Sequence, residues 1–499
     1  MHDKNIKLMV KKQLKKDHPN WKRLTQKEKK ELAKQVTEAV INDYDLKAEI
    51  EAPIEELIGI ESQTPNEDII PLKQMNQLID DFYKNAPFDV AKIKKHRVNL
   101  KDNRLKFIDD LLDNHIINRL LSYKGFTPAM RKLMPSDFLR AELLKSIKYP
   151  EISYRKYCSD EYLGLGRKEN REFIGLPLHK KQMIDHTRLS QFRNSLTFAQ
   201  NVNLLVYVLS RFFSAGILSD RVLHCVDSTE LYNDTARPLF TTSVKNKKIR
   251  VYQDLDCDCG SRRNKRNKNK YFIGYRLHTL TAIDARTGHS FPLVSLVAPG
   301  NHHDSLFLKP LTRLALAMGI EIKLITADEA YHDKDGSFFA ETGVTLVTPP
   351  SAKTTLPENV DPETFAVTLD DLCETPMRHL GCSVDGHEYK CDASTAECLR
   401  AIDCSQFRTI PFDDGVFQRI VMNGDELTER AKDIRKNCER PFNLLKHREG
   451  LEEIRVRSQR ALISKSAITT MATLLHEMES RLNDRTNDDP RLNIFDVAS

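Results

Sequence analysis

Residues 435–446 read RKNCERPFNLLK, which sets Glu439 between two cations, with three residues separating it from Arg435 and six from Lys446. On a helix, steps of four and seven return to the same face, so one carboxylate is bracketed by positive charge. Two further acids follow apolar runs: Asp227 after Leu-His-Cys-Val, and Asp328 after Leu-Ile-Thr-Ala. Asp328 lies 101 positions after Asp227, and Glu439 lies 111 positions after Asp328. Carboxylates brought together raise one another's pKa, so gathering three points to a hard divalent cation, Mg²⁺ or Mn²⁺, as their partner. Carboxylate-held metal beside phosphate-gripping cations is the equipment of phosphodiester chemistry.

Taken together, these residues resemble the DDE transposases of bacterial insertion sequences, in the branch with the Y-(2)-R-(3)-E-(6)-K signature. The resemblance covers residues 185–465. It implies that Asp227, Asp328 and Glu439 are both the catalytic residues and the metal ligands, and that Arg435 and Lys446 hold terminal phosphates. Tyr331, three residues after Asp328, matches an Asp-x-x-aromatic motif whose ring lies beside the DNA strand. The implied activity is metal-dependent cleavage of double-stranded DNA at terminal inverted repeats, then strand transfer into target DNA, by a homodimer on paired ends. Two alternatives share the same residues: a metal-dependent nuclease that cuts without joining, and a transposase-derived DNA-binding protein that no longer catalyses. The signature's tyrosine would fall at position 432, where this chain has Lys432. Pro441, two residues past Glu439, is expected to kink the helix.

Stepping along the chain, a basic arm and a helix are expected over residues 1–50, with Thr25 and Glu28 forming a capping box. Residues 51–72 read as a linker and 73–212 as a helical region for DNA binding and assembly. There, Leu189, Phe192 and Leu196 form an apolar stripe, leaving Arg188, Gln191 and Asn194 outward. From 213 the pattern turns to strands: Val222–Val226, Tyr271–Ile283, Phe291–Val297 and Ile320–Thr326, with a helix over Leu306–Met318 capped by Asp304 or Ser305. His302 or His303, in the loop ahead of that helix, is a further candidate for DNA contact. The order of three strands, helix, strand predicts an α/β RNase H-like catalytic core over 213–344, completed by a Glu-bearing helical part over 426–480. Residues 345–425 read as an inserted β or irregular subdomain, and 481–499 as a loose tail.

The chain has 499 residues and a net charge of +6, but the charge is clustered. Residues 1–30 hold eleven Lys/Arg against three Asp/Glu, and residues 261–270 hold six cations and no acid. Arg262, Arg263, Lys265 and Arg266 in the second cluster are candidate DNA contacts, since each neutralised phosphate releases counterions. Cys373, Cys382, Cys391, Cys398 and Cys404 crowd one segment without a CxxC knuckle, a weak zinc signal. No apolar run of 18 residues and no apolar leader are seen, so a cytoplasmic, nucleoid-associated protein without membrane contact is expected.

Overall fold

The computed structural model describes residues 2–44, 63, 68–85, 100–121, 133–179, 184–219, 221–233, 237–244, 247–263, 269–331, 333, 337–348, 368, 377–382, 387–393, 406–410, 433–451, 456 and 458–488. Lys265, Arg266, Lys432 and most of the cysteine-bearing segment lie outside them.

The site is positioned by a six-stranded mixed sheet. β1 (Val222–Tyr232) is paired with the later strands β5 (Asn269–Asp284), antiparallel, and β7 (Leu324–Ala327), parallel. β6 (Ser290–Pro299) flanks β5, β8 (Thr345–Val347) flanks β7, and β4 (Asp258–Arg263) pairs with the start of β5. The β-branched and aromatic content of β5 and β6 suits this buried, pleated surface. The expected strands are present but displaced. β1 runs five residues beyond Asp227, which therefore sits mid-strand opposite Thr279, and β7 is confined to four residues.

Helices that precede and follow the strands in the chain share the core of the sheet. α8 (Phe198–Ser214) buries Leu205, Leu209 and Phe212, and α11 (Gln459–Asp488) buries Met471, Leu475 and Met478 in the same core. α8 starts at a reciprocal cap: Thr197 Oγ1 accepts the Gln200 N–H at 3.1 Å, and Gln200 Oε1 accepts the Thr197 N–H at 3.0 Å. α7 (His186–Ser195) buries Leu189 and Phe192 as the apolar stripe requires, and its Arg193 is buried against Glu142 of α6 (Pro135–Lys148). α11 continues to Asp488, so residues 481–488 are helical where a loose tail is expected.

The N-terminus differs from the expected arm. α1 (His2–Asp17) and α2 (Gln26–Tyr44) pack with the hairpin of β2 (Pro238–Val244) and β3 (Lys247–Tyr252) around Val10, Leu14 and Trp21. Lys7 and Lys11 pair with Asp258 at 3.6 Å each, and Lys15 pairs with Asp256. The spacing of four puts these lysines on one helical face, so their charge is met within the chain rather than offered to a polyanion. The Thr25–Glu28 capping box is formed, with Glu28 accepting the Thr25 N–H at 2.7 Å. A separate three-stranded sheet, β9 (Arg378–Cys382), β10 (His387–Lys390) and β11 (Phe407–Ile410), lies within the region read as an insertion. No described helix is long and apolar enough to cross a membrane.

Candidate active site

In the parallel register of β1 and β7, Val226 stands opposite Ala327, so an aspartate follows each: Asp227 within β1 and Asp328 just past the end of β7. Asp227 and Asp328 thus emerge side by side from a buried apolar pair. Asp227 Oδ1 accepts the Ser228 N–H at 2.7 Å, and its Oδ2 accepts the Cys438 thiol at 3.3 Å. Asp328 Oδ1 accepts the Ala330 N–H at 3.0 Å, and its carbonyl accepts the Tyr331 N–H at 3.1 Å, closing a tight turn. Burial raises the pKa of both carboxyls. Asp227 and Asp304 raise that of Asp328 further, to about 6, against the opposing pull of Arg435.

Arg435, half-buried, is the counter-charge. Burial lowers its pKa, but Cys225, Cys438, Asp227 and Asp328 outweigh that and hold the guanidinium firmly charged. Its charge therefore acts on the two aspartates. Cys438 is buried beside Cys225, and its hydrogen bond with that neighbour, together with burial, pushes its thiol pKa upward.

Glu439 does not share this face. Residues Lys436–Cys438 form a 3₁₀ turn before helix α10 (Glu439–Asn443), and in such a turn side chains three apart eclipse. Arg435 and Cys438 consequently point together at Asp227, whereas Glu439, one position on, is exposed. Among the described residues no group of three or more His, Cys, Asp or Glu is arranged to hold a metal ion. Pro441 lies within α10, and the chain continues beyond it into a wide turn, Leu444–Arg448, closed by Glu449 N–H onto the Leu444 carbonyl at 3.0 Å. Lys446 lies half-buried in that turn.

Tyr331 corrects an expectation. It is fully buried, with its hydroxyl 2.8 Å from His278 Nδ1, so its ring packs beneath the site and does not border an open cleft. His278 stacks on Phe307 at 4.0 Å, and burial pushes its pKa down to about 3, so the imidazole is neutral. Neither Asp304 nor Ser305 caps the helix: both lie in a 3₁₀ turn, Asp304–Phe307, capped by His303, whose Nδ1 accepts the Ser305 N–H at 3.2 Å, and the helix Leu308–Ala317 that follows starts without a side-chain cap. Asp304 instead accepts Arg276 Nη1 at 2.7 Å and adds negative charge beside the two aspartates. Sequence reasoning missed Arg276, His278 and Cys438. Arg276 and His278 are two apart on β5 and so share one face of the strand, a signal that a β-rich stretch with polar residues on alternate positions could have given.

Arg262 and Arg263 end β4, with backbones paired to Lys270 and Asn269. Of the five clustered cysteines, Cys391 is buried and free. A family model described as the transposase DDE domain matches residues 219–475, which spans β1 through most of α11. The chain belongs to the DDE transposase family. The match includes Asp227, Asp328, Arg435, Glu439 and Lys446. No curated protein matches this DDE transposase chain.

Proposed function

We propose that the chain is an insertion-sequence transposase of the Y-R-E-K branch that cuts DNA at terminal inverted repeats and joins the freed end to a target. The reading rests on the register that sets Asp227 beside Asp328 on adjoining parallel strands, within the segment matched by the DDE family. The strand order β6-β5-β1-β7-β8, antiparallel then parallel, supports an RNase H-like core over 213–344 and 426–480, interrupted by an insertion at 345–425.

Asp227 and Asp328 suit a divalent cation. Both are oxygen donors whose burial favours protonation, and an ion of Mg²⁺ or Mn²⁺ type would be the natural charge to hold them ionised. Such an ion, when bound, activates an attacking oxygen and stabilises a leaving one. Glu439 is the proposed third ligand. Arg435 orients the aspartates and, with Lys446, meets the terminal phosphate. Water attack on the phosphodiester at the transposon end leaves a 3′-hydroxyl and a 5′-phosphate on the flanking strand, and that 3′-hydroxyl then attacks a target phosphodiester in the same site, joining to the target's 5′-phosphate as the target's own 3′-hydroxyl leaves. Arg262, Arg263, Lys265 and Arg266 would track the DNA backbone, and the acting unit is a homodimer on paired ends in the cytoplasm.

Replacing Asp227, Asp328 or Glu439 by the corresponding amide removes a metal-binding charge and leaves the basic segments intact. Each variant is expected to lose at least about a thousand-fold in cleavage, the scale of several kcal/mol of charge stabilisation, while retaining end binding in a gel-shift assay. Wild-type cutting by any one of them removes that residue from the site. A pre-cleaved end that the wild-type protein fails to join marks a nuclease and not a transposase.

A further inference from the structure

At the C-terminal end of β1 lies an open cleft of 820 Å³, lined by Tyr232, Tyr271, Phe272, Arg237 and Arg250 among others. Tyr232 is five residues past Asp227, roughly 17 Å along the strand, so this cleft is distinct from the carboxylate pair. Its walls are built in two layers. Phe272 is buried and meets Tyr232 edge-to-face at 5.7 Å, with the Arg276 guanidinium 5.9 Å from its ring. Tyr271, the preceding residue on β5, also lines the cleft, with 67% of its surface exposed, an unusual position for a large ring on a β-strand. Tyr271 also directly follows the run of six cations at 261–270.

Exposed aromatic rings interleaved with arginines form the combination that binds single-stranded nucleic acid. Any base can stack on a ring, and the guanidinium groups meet the phosphates. A duplex would present its bases only by their edges, so a stacking platform suits an unpaired strand. We propose that this cleft binds an unpaired DNA strand, with a base on Tyr271 and flanking phosphates on Arg237 and Arg250. The proposal rests on the reading of the chain as a protein that handles DNA ends. It adds a second strand-binding site, about half the length of β1 from the chemistry.

The test uses the full chain in EDTA, which keeps cleavage off, with oligothymidylate carrying one 2-aminopurine. Stacking should quench the probe, and Tyr271→Ala should weaken binding by roughly 5- to 150-fold, whereas Tyr271→Phe should bind as wild type. Arg237→Ala with Arg250→Ala should reduce the slope of log K against log salt by about 1.4. Oligothymidylate binding that Tyr271→Ala leaves unchanged overturns the proposal, as does a wild-type protein that binds hairpin duplex but no single strand. Cleavage of duplex ends by the wild-type protein in Mg²⁺, measured alongside, reports on the transposase reading separately.

Discussion

At Asp328 burial, Asp227 and Asp304 all act in one direction, and Arg435 and the Ala330 N–H act in the other. The folded pKa, about 6, stands above the ordinary carboxylate value of 3.8. Between those values the folded state binds more protons than the unfolded one, so stability falls as pH rises through that window. Asp328→Asn removes the buried charge while its side-chain oxygen still accepts the Ala330 N–H. The variant should therefore be more stable than wild type at pH 7.5, by roughly 1–2 kcal/mol after allowance for the residue's partial exposure. Thermal unfolding at a series of pH values checks this, and the gain should vanish near pH 4. Millimolar Mg²⁺ or Mn²⁺ should raise the wild-type melting temperature at pH 7.5 and leave that of Asp328→Asn nearly unchanged. A variant less stable than wild type at pH 7.5 would show that the carboxylate is already neutralised by Arg435.

At the scale of elements, the strands that carry the aspartates were legible because apolar runs, a turn signal and an acidic residue coincide in 222–227, 284–288 and 324–328. What was not legible was register. The sequence of β1 alone does not show that Leu231 and Tyr232 continue the ladder opposite β5, because that pairing depends on a strand beginning 37 positions later at Asn269. The same holds for the Glu-bearing segment. Its spacing reads as a regular helix, but a 3₁₀ turn changes 100° steps to 120° and gives the inward face to Cys438. The burial of Tyr331 was not legible either, because an aromatic after a catalytic-looking acid says nothing of the histidine, on another strand, that packs against it. Gly274 shows how strictly the β1–β5 ladder is held: a Cβ there would lie 2.0 Å from the Leu231 carbonyl oxygen. Gly274→Ala must push the two strands apart next to Tyr232 and Phe272. A loss of at least about 2 kcal/mol is expected, measured by urea unfolding, together with weaker oligothymidylate binding. Unaltered stability would mean that the strand ends are slack.

Across the whole molecule, the N-terminal helices form a unit that touches the rest through charge as much as through apolar surface. Asp258 is almost fully buried and meets both Lys7 and Lys11, and Lys11 also donates to the Cys257 carbonyl at 3.2 Å. Asp256 is more accessible and meets Lys15, itself more than half exposed. Removing Lys11 strips charge from a carboxylate that water does not reach, whereas removing Lys15 breaks a pair that water already screens. Lys11→Ala should therefore cost about 1–3 kcal/mol and Lys15→Ala under about 1 kcal/mol. The pKa of Asp256 is held below 3.8: burial opposes this, but Lys15, Gln459 and Lys11 outweigh it. Its contribution is thus present above about pH 4 and lost as pH falls further. The chain supplies its own reporter, because Trp21 is its only tryptophan, sits in this interface, and donates its indole N–H to the Gln253 carbonyl at 3.2 Å. Its emission should shift to the red when the helices detach. That shift should come at lower urea in Lys11→Ala than in Lys15→Ala, and at lower urea in both than in wild type. If Trp21 emission in Lys11→Ala tracks the wild-type curve, the docking is carried by Val10, Leu14 and Trp21 alone, and the charged face contributes nothing.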